Sequence, residues 1–135
     1  MASMTQMRVR EAATFLGVSD DTVRRWIDRG TLEATTDAAG RRVLEGVEVA
    51  RVAREIAVAP ELAGSVRSSA RNRFVGLVTS VVMDTVMAQV ELQCGPFRVV
   101  SLMSSEAARE LGLEPGKVAT ASVKATQVVI EAESA

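Results

Sequence analysis

The sequence predicts an α+β chain: a small helical unit carrying a two-stranded hairpin, followed by a five-stranded β-barrel. Three observations predict it. Before Pro60 apolar residues recur at helical spacing and arginine is frequent; after it, short Val-rich runs alternate with turn signals. Residues 59–68 (APELAGSVRS) carry a proline, a glycine and small polar residues, the composition of a linker. A chain of 135 residues has room for two small units, here 8–58 and 69–132, each of roughly 60 residues.

Composition narrows the chemistry. The chain is 47% hydrophobic and 24% charged, which excludes a disordered or collagen-like protein. It has no histidine and one cysteine, Cys94, which excludes a His/Cys zinc site, a catalytic histidine and an intramolecular disulfide. The net charge is −1, so bulk charge recruits neither nucleic acid nor membrane. The longest nearly apolar run, residues 75–83, is far short of the ~20 residues that span a bilayer. Residues 1–7 are polar without a signal region and are left outside the expected fold. The expectation is a soluble cytoplasmic protein that is not an enzyme and has no cofactor, since no acid pair or histidine is placed to move protons.

In the first half, residues 10–16 place Ala12, Ala13, Phe15 and Leu16 on one helical face, and Gly17 stops the helix. Ser19 is an N-cap, with Asp20 and Asp21 in the first turn, where negative charge suits the helix dipole. The helix 20–29 buries Val23, Trp26 and Ile27. Residues 32–34 and 42–44 flank a polar turn and form a two-stranded wing. A third helix, 47–58, turns Val49, Val52, Ala53 and Ile56 inward. The order is helix, tight turn, helix, wing, helix: a winged helix-turn-helix.

In the second half, strands are expected over 74–83, 86–92, 97–103, 118–124 and 128–130. Cys94-Gly95-Pro96 and Glu114-Pro115-Gly116 are turns, and 104–111 is a short helix capped by Ser104 and followed by Gly112. Five short strands and one helix suit a Greek-key barrel of the OB kind, whose thin core calls for partner subunits.

Two constellations carry function. Residues 10–26 (REAATFLGVSDDTVRRW) form a compact helix-turn-helix string. Thr22, Arg24 and Arg25, with Asp21 beside them, project from the start of the second helix, where such a helix reaches base edges in a major groove. Arg41 and Arg42 on the wing's return strand would hold phosphates. Residues 1–59 hold nine basic and nine acidic side chains, so clustering of the arginines has to supply the basic face. The alternative use of such a unit is protein contact. Residues 8–58 resemble the DNA-binding headpiece of MerR-type and excisionase-like regulators. The long dimerising helix usual in MerR-type regulators is missing, because Pro60 and Gly64 interrupt the chain and no apolar heptads follow.

The second constellation suits a tetrahedral dianion, which needs hydroxyl and N–H donors and one or two cations. Ser69, Arg71, Ser104 and Lys124 supply those groups. Taken singly, Arg71 and Lys124 read equally as surface ion-pair partners. Asn72 reads as a strand-start residue and Cys94 as an incidental small residue in a hairpin. Residues 69–131 resemble the molbindin (Mop) domain, also described as the TOBE type. The resemblance rests on Ser-Ala-Arg-Asn (69–72), Gly76, the Glu-Leu-Gly-Leu-x-x-Gly segment (110–116) and Lys124-Ala125, in the family's order and spacing. It implies an oxyanion site between subunits built from Ser69, Arg71, Ser104, Lys124 and the backbone of Ala125. The family often has Thr at the position of Ser104 and favours Gln where this chain has Arg73.

Joined, the two halves imply a transcriptional regulator that senses molybdate or tungstate and binds double-stranded DNA. It would assemble through the Mop domain as a hexamer or a dimer, with half-sites ~34 Å apart or a multiple of that. The alternative is a molybdate store in molybdenum homeostasis, its headpiece serving protein contacts. The metal enters only within the oxyanion.

Overall fold

The computed structural model describes residues 5–60 and 67–133. It falls into two compact units, divided between Val58 and Ala59. Most of the expected linker, residues 61–66, lies outside the described residues.

The first unit contains β1 (Gln6–Arg8), α1 (Val9–Leu16), α2 (Asp20–Asp28), β2 (Thr35–Thr36), β3 (Arg42–Glu45) and α3 (Gly46–Ile56). Gly17 ends α1 in the left-handed conformation, at φ 69°, which glycine reaches without the Cβ clash other residues would meet. Ser19 then caps α2 by accepting the Thr22 N–H at 3.1 Å. Ala12, Ala13, Leu16, Val23, Leu32, Leu44, Val49 and Val52 form the core, with Trp26, Ile27 and Ala53 half-buried around it. Arg51 on α3 donates to Glu48 at 2.6 Å, to Glu55 at 2.8 Å and to the Thr31 carbonyl at 3.2 Å. It thus ties α3 to the segment leaving α2, and its hydrogen bond holds the Glu48 carboxyl below the usual carboxylate range.

Four details differ from the sequence-based expectations for this unit. Phe15 is 70% exposed. At 100° per residue it lies outside the arc spanned by Ala12, Ala13 and Leu16, and Val9 takes the inward position instead. Ile56 is exposed at the end of α3, which stops two residues before the expected Val58. The hairpin's first strand is Thr35–Thr36 rather than residues 32–34. Leu32 is needed in the core, and its N–H bonds the Trp26 carbonyl at 3.2 Å, so pairing with β3 starts only at Thr35. Residues 6–8 belong to the fold: β1 pairs with β3 antiparallel, Met7 opposite Leu44, in a sheet of order β1-β3-β2.

The second unit contains β4 (Asn72–Met83), β5 (Met87–Cys94), β6 (Phe97–Ser104), α4 (Ser105–Glu110), β7 (Val118–Val123) and a 3-10 turn, Ala125–Gln127. The sheet is antiparallel with order β6-β5-β4-β7. β5 shows the period of two, with Ala88, Val90, Leu92 and Cys94 buried. The long β4 serves two partners: its first half pairs with β7 and its second with β5, across a bulge between Val78 and Ser80. Gly76 sits where the strands crowd. A Cβ there would lie 2.5 Å from the Gln93 carbonyl oxygen and 2.6 Å from the Cys94 sulfur, so only glycine fits.

The sheet curls into a half-barrel whose inner face borders a cavity of about 660 Å³. Four strands form it among the described residues, not five. Residues 128–130 pair with no strand there, because the 3-10 turn at Ala125–Gln127 carries the chain off the end of β7; Val129 and Ile130 are left 82% and 84% exposed.

Candidate functional site

One end of the β4–β7 pair gathers most of the expected oxyanion donors. Asn72 stands opposite Val123, and its side-chain amide donates to the Val123 carbonyl at 3.2 Å. This pins the strand start, the role expected of Asn72. Arg71 and Lys124 therefore flank the last paired position, one on each chain segment. Ser69 lies two residues before Arg71, and Ala125 opens the 3-10 turn, whose first N–H groups have no partner within the turn. Ser69, Arg71, Lys124 and Ala125 are all exposed. Arg73, opposite Ser122, adds a third cation at the same end.

Ser104 lies elsewhere. It ends β6 opposite Met87, beside the far end of β4, where Met83 pairs with Ala88. Ten residues of β4 separate Asn72 from Met83, eleven steps along the strand and on the order of 35 Å. A single chain thus places Arg71 and Lys124 across from each other at one end of the sheet, with Ser69 and Ala125 close to them in sequence, and Ser104 at the opposite end.

The chemistry at Ser104 is nonetheless well defined. Its hydroxyl oxygen accepts the Ala107 N–H at 3.1 Å, which leaves its own proton to donate outward. Neighbouring Ser105 is wholly buried and donates to the Asp84 carbonyl at 2.8 Å, while its N–H bonds the Val86 carbonyl at 2.8 Å. Of the two serines, only Ser104 faces solvent. Among the described residues, no group of three His, Cys, Asp or Glu side chains could hold a metal ion.

In the first unit, Thr22, Arg24 and Arg25 lie on the first turns of α2. The Thr22 hydroxyl meets Ser19 at 2.9 Å and accepts from Arg25 at 3.1 Å, and Arg24 pairs with Asp21 at 3.2 Å. Arg41 is at the hairpin turn, paired with Asp37 at 3.3 Å, and Arg42 opens β3. The Arg41 and Ala39 N–H groups and the Arg41 guanidinium hold the Asp37 carboxyl below its ordinary range. Arg24, Arg41 and Arg42 line a cleft of about 690 Å³ together with Arg8 and Arg10. Sequence reasoning missed these last two. The signal was their basic character next to a helix start, but residue 8 belongs to a strand visible only once its partner β3 is known.

A helix-turn-helix unit and a half-barrel with a cationic, hydroxyl-bearing end define the class of the chain. Residues 7–55 match a family model described as a helix-turn-helix domain, and residues 68–130 match one described as a TOBE domain. Over 66 residues, 48% of this chain and 96% of the relative, the chain is 42% identical to a probable molybdenum-pterin-binding protein of Haemophilus influenzae. It is similar to the structure of a molybdate-binding protein from Sporomusa ovata, at 30% identity over 50% of this chain and 100% of that one, TM-score 0.48. It is also similar to MopII from Clostridium pasteurianum, at 37% identity over 49% and 100%, TM-score 0.46. A third similar structure is the cytoplasmic molybdate-binding protein ModG with molybdate bound, at 39% identity over 44% of this chain and 43% of that one, TM-score 0.43. The chain belongs to the TOBE-domain family, with a helix-turn-helix domain ahead of the TOBE domain.

Proposed function

We propose that this chain is a DNA-binding regulator that responds to molybdate or tungstate. The observation that carries the reading is the pairing, in one chain, of a matched helix-turn-helix domain with a matched TOBE domain whose relative is a probable molybdenum-pterin-binding protein. Ser69, Arg71, Lys124 and the backbone of Ala125 hold the oxyanion, joined by the Ser104 hydroxyl of another copy. The distance along β4 supports this sharing. The half-barrel assembles as a dimer or hexamer, with residues 128–130 as the fifth strand of the completed barrel; their exposed Val129 and Ile130 support it. In the first unit the β2–β3 hairpin acts as the wing, Thr22 and Arg25 face base edges, and Arg24, Arg41 and Arg42 approach the backbone. The functional domains extend over 8–58 and 69–132, joined by residues 59–68. Regulation of this kind places the protein in the cytoplasm, without enzymatic activity or cofactor.

The test has two arms. Calorimetric titration with molybdate gives a binding heat, and Arg71→Ala or Lys124→Ala weakens binding roughly tenfold to a hundredfold, the loss of one charge-assisted hydrogen bond. Unchanged titration in both variants would remove the site. Pull-down of genomic fragments by the full chain recovers defined duplexes in amounts that change with molybdate. Recovery at background level with and without the anion would leave a molybdate store instead.

A further inference from the structure

We infer that the cleft lined by Arg8, Arg10, Arg24, Arg41 and Arg42 is a clamp for the phosphodiester backbone of a duplex, with Arg8 and Arg10 as its unassigned half. This rests on the DNA-binding reading above and adds to it the part of the unit that grips the strand.

The unit as a whole is electrically neutral, with nine bases and nine acids over residues 1–59. The cleft is not. Its lining sets five guanidinium groups against the two carboxylates Glu11 and Asp20. The arginines come from three separate places: the β1–α1 junction, the second turn of α2 and the return of the hairpin. The fold, not a basic run in the sequence, concentrates them. Among the described residues Arg8, Arg10 and Arg42 enter no ion pair. Arg24 pairs with the exposed Asp21 at i,i+3 and Arg41 with the half-buried Asp37 at i,i+4, but both guanidinium groups are themselves more than half exposed, where such pairs contribute little.

Unpaired like charges facing one cleft repel each other in the free protein, and a polyanion relieves that repulsion. Guanidinium forks match phosphate oxygens bidentately. Pairing β1 with β3 fixes the Arg8 backbone opposite Val43, next to Arg42 in sequence, so the fold holds the two arginines at neighbouring positions. Arg25, by contrast, bonds the Thr22 hydroxyl and does not line the cleft. α2 therefore divides its labour: Arg24 grips the backbone, while Thr22 and Arg25 are left for base edges. Contacts of the first kind position the protein without reading sequence.

The test is fluorescence anisotropy of the full chain with sonicated genomic duplex of mixed sequence, titrated across salt. Each phosphate contact contributes about 0.9 to the slope of log K against log salt. Arg8→Ala and Arg10→Ala should each lower the slope by about that amount, and Arg8→Lys and Arg10→Lys should keep most of it. Arg54→Ala, on α3 away from the cleft, should leave it unchanged. Slopes in both alanine variants equal to wild type, or an equal loss in Arg54→Ala, would overturn the clamp while leaving DNA binding intact. A wild-type chain that holds no duplex at low salt would remove the DNA-binding reading itself. Thermal melts identify a variant that fails to fold; Arg8 lies in a strand, so Arg10→Ala then decides.

Discussion

Asp84 organises one corner of the half-barrel. Its carboxylate accepts the N–H groups of Met87 and Val86, each at 2.8 Å, and its carbonyl receives the buried Ser105 hydroxyl. The two backbone donors, Met87 first, hold the carboxyl below its usual value near 3.8. A carboxyl depressed on folding contributes stability that is present above the unfolded pKa and is lost as pH falls through the folded pKa. Unfolding of the second unit should therefore become easier below about pH 4. Asp84→Asn, which keeps the acceptor but not the charge, should flatten that acid limb; melting temperatures measured from pH 6 to the acid side check it, and an unchanged limb would contradict the assignment. Residues such as Ser19, Ser104 and Asn72 were legible in the sequence because capping and strand-start roles depend on near neighbours. Phe15 and Arg8 were not. Which edge of a helical face is inside, and which strand a terminal tripeptide joins, depend on partners many residues away.

At the scale of elements, α2 depends most on its start. Ser19 satisfies the Thr22 N–H and also meets the Thr22 hydroxyl, so the cap and a proposed base-reading side chain share one hydrogen-bond cluster. Ser19→Ala should cost about 1 kcal/mol of stability in the first unit. Ser19→Asp, an equally good cap acceptor, should retain that stability. Chemical denaturation of the two variants measures this. The helices, the tight turn between them, four strands and the capped α4 follow from periodicity, glycine and serine placement. Two strand assignments do not. Residues 32–34 have strand-like composition, yet Leu32 is drawn into the core. Residues 128–130 are equally strand-like, but a strand is defined by the edge it pairs with, and an apolar tripeptide carries no record of that edge.

At the scale of the whole molecule, the sequence conveys which residue types an oxyanion needs but not their distribution between copies. Order along the chain is compatible with Ser104 standing near Arg71; the register of β4, β5 and β6 places them at opposite ends. Under the proposed reading, no chain alone holds a complete set of donors. Native mass spectrometry should then show an oligomer whose mass rises by whole oxyanions on adding molybdate, with the monomer peak falling. A monomer that binds the anion without associating would refute the shared site.

The length of β4 between Asn72 and Met83 has a physiological consequence. If adjacent copies must supply the missing hydroxyl, occupancy varies with the abundance of the protein as well as with the supply of its ligand. A cell could then retune the threshold of its response simply by changing how much of this polypeptide it makes, with no alteration to the pocket.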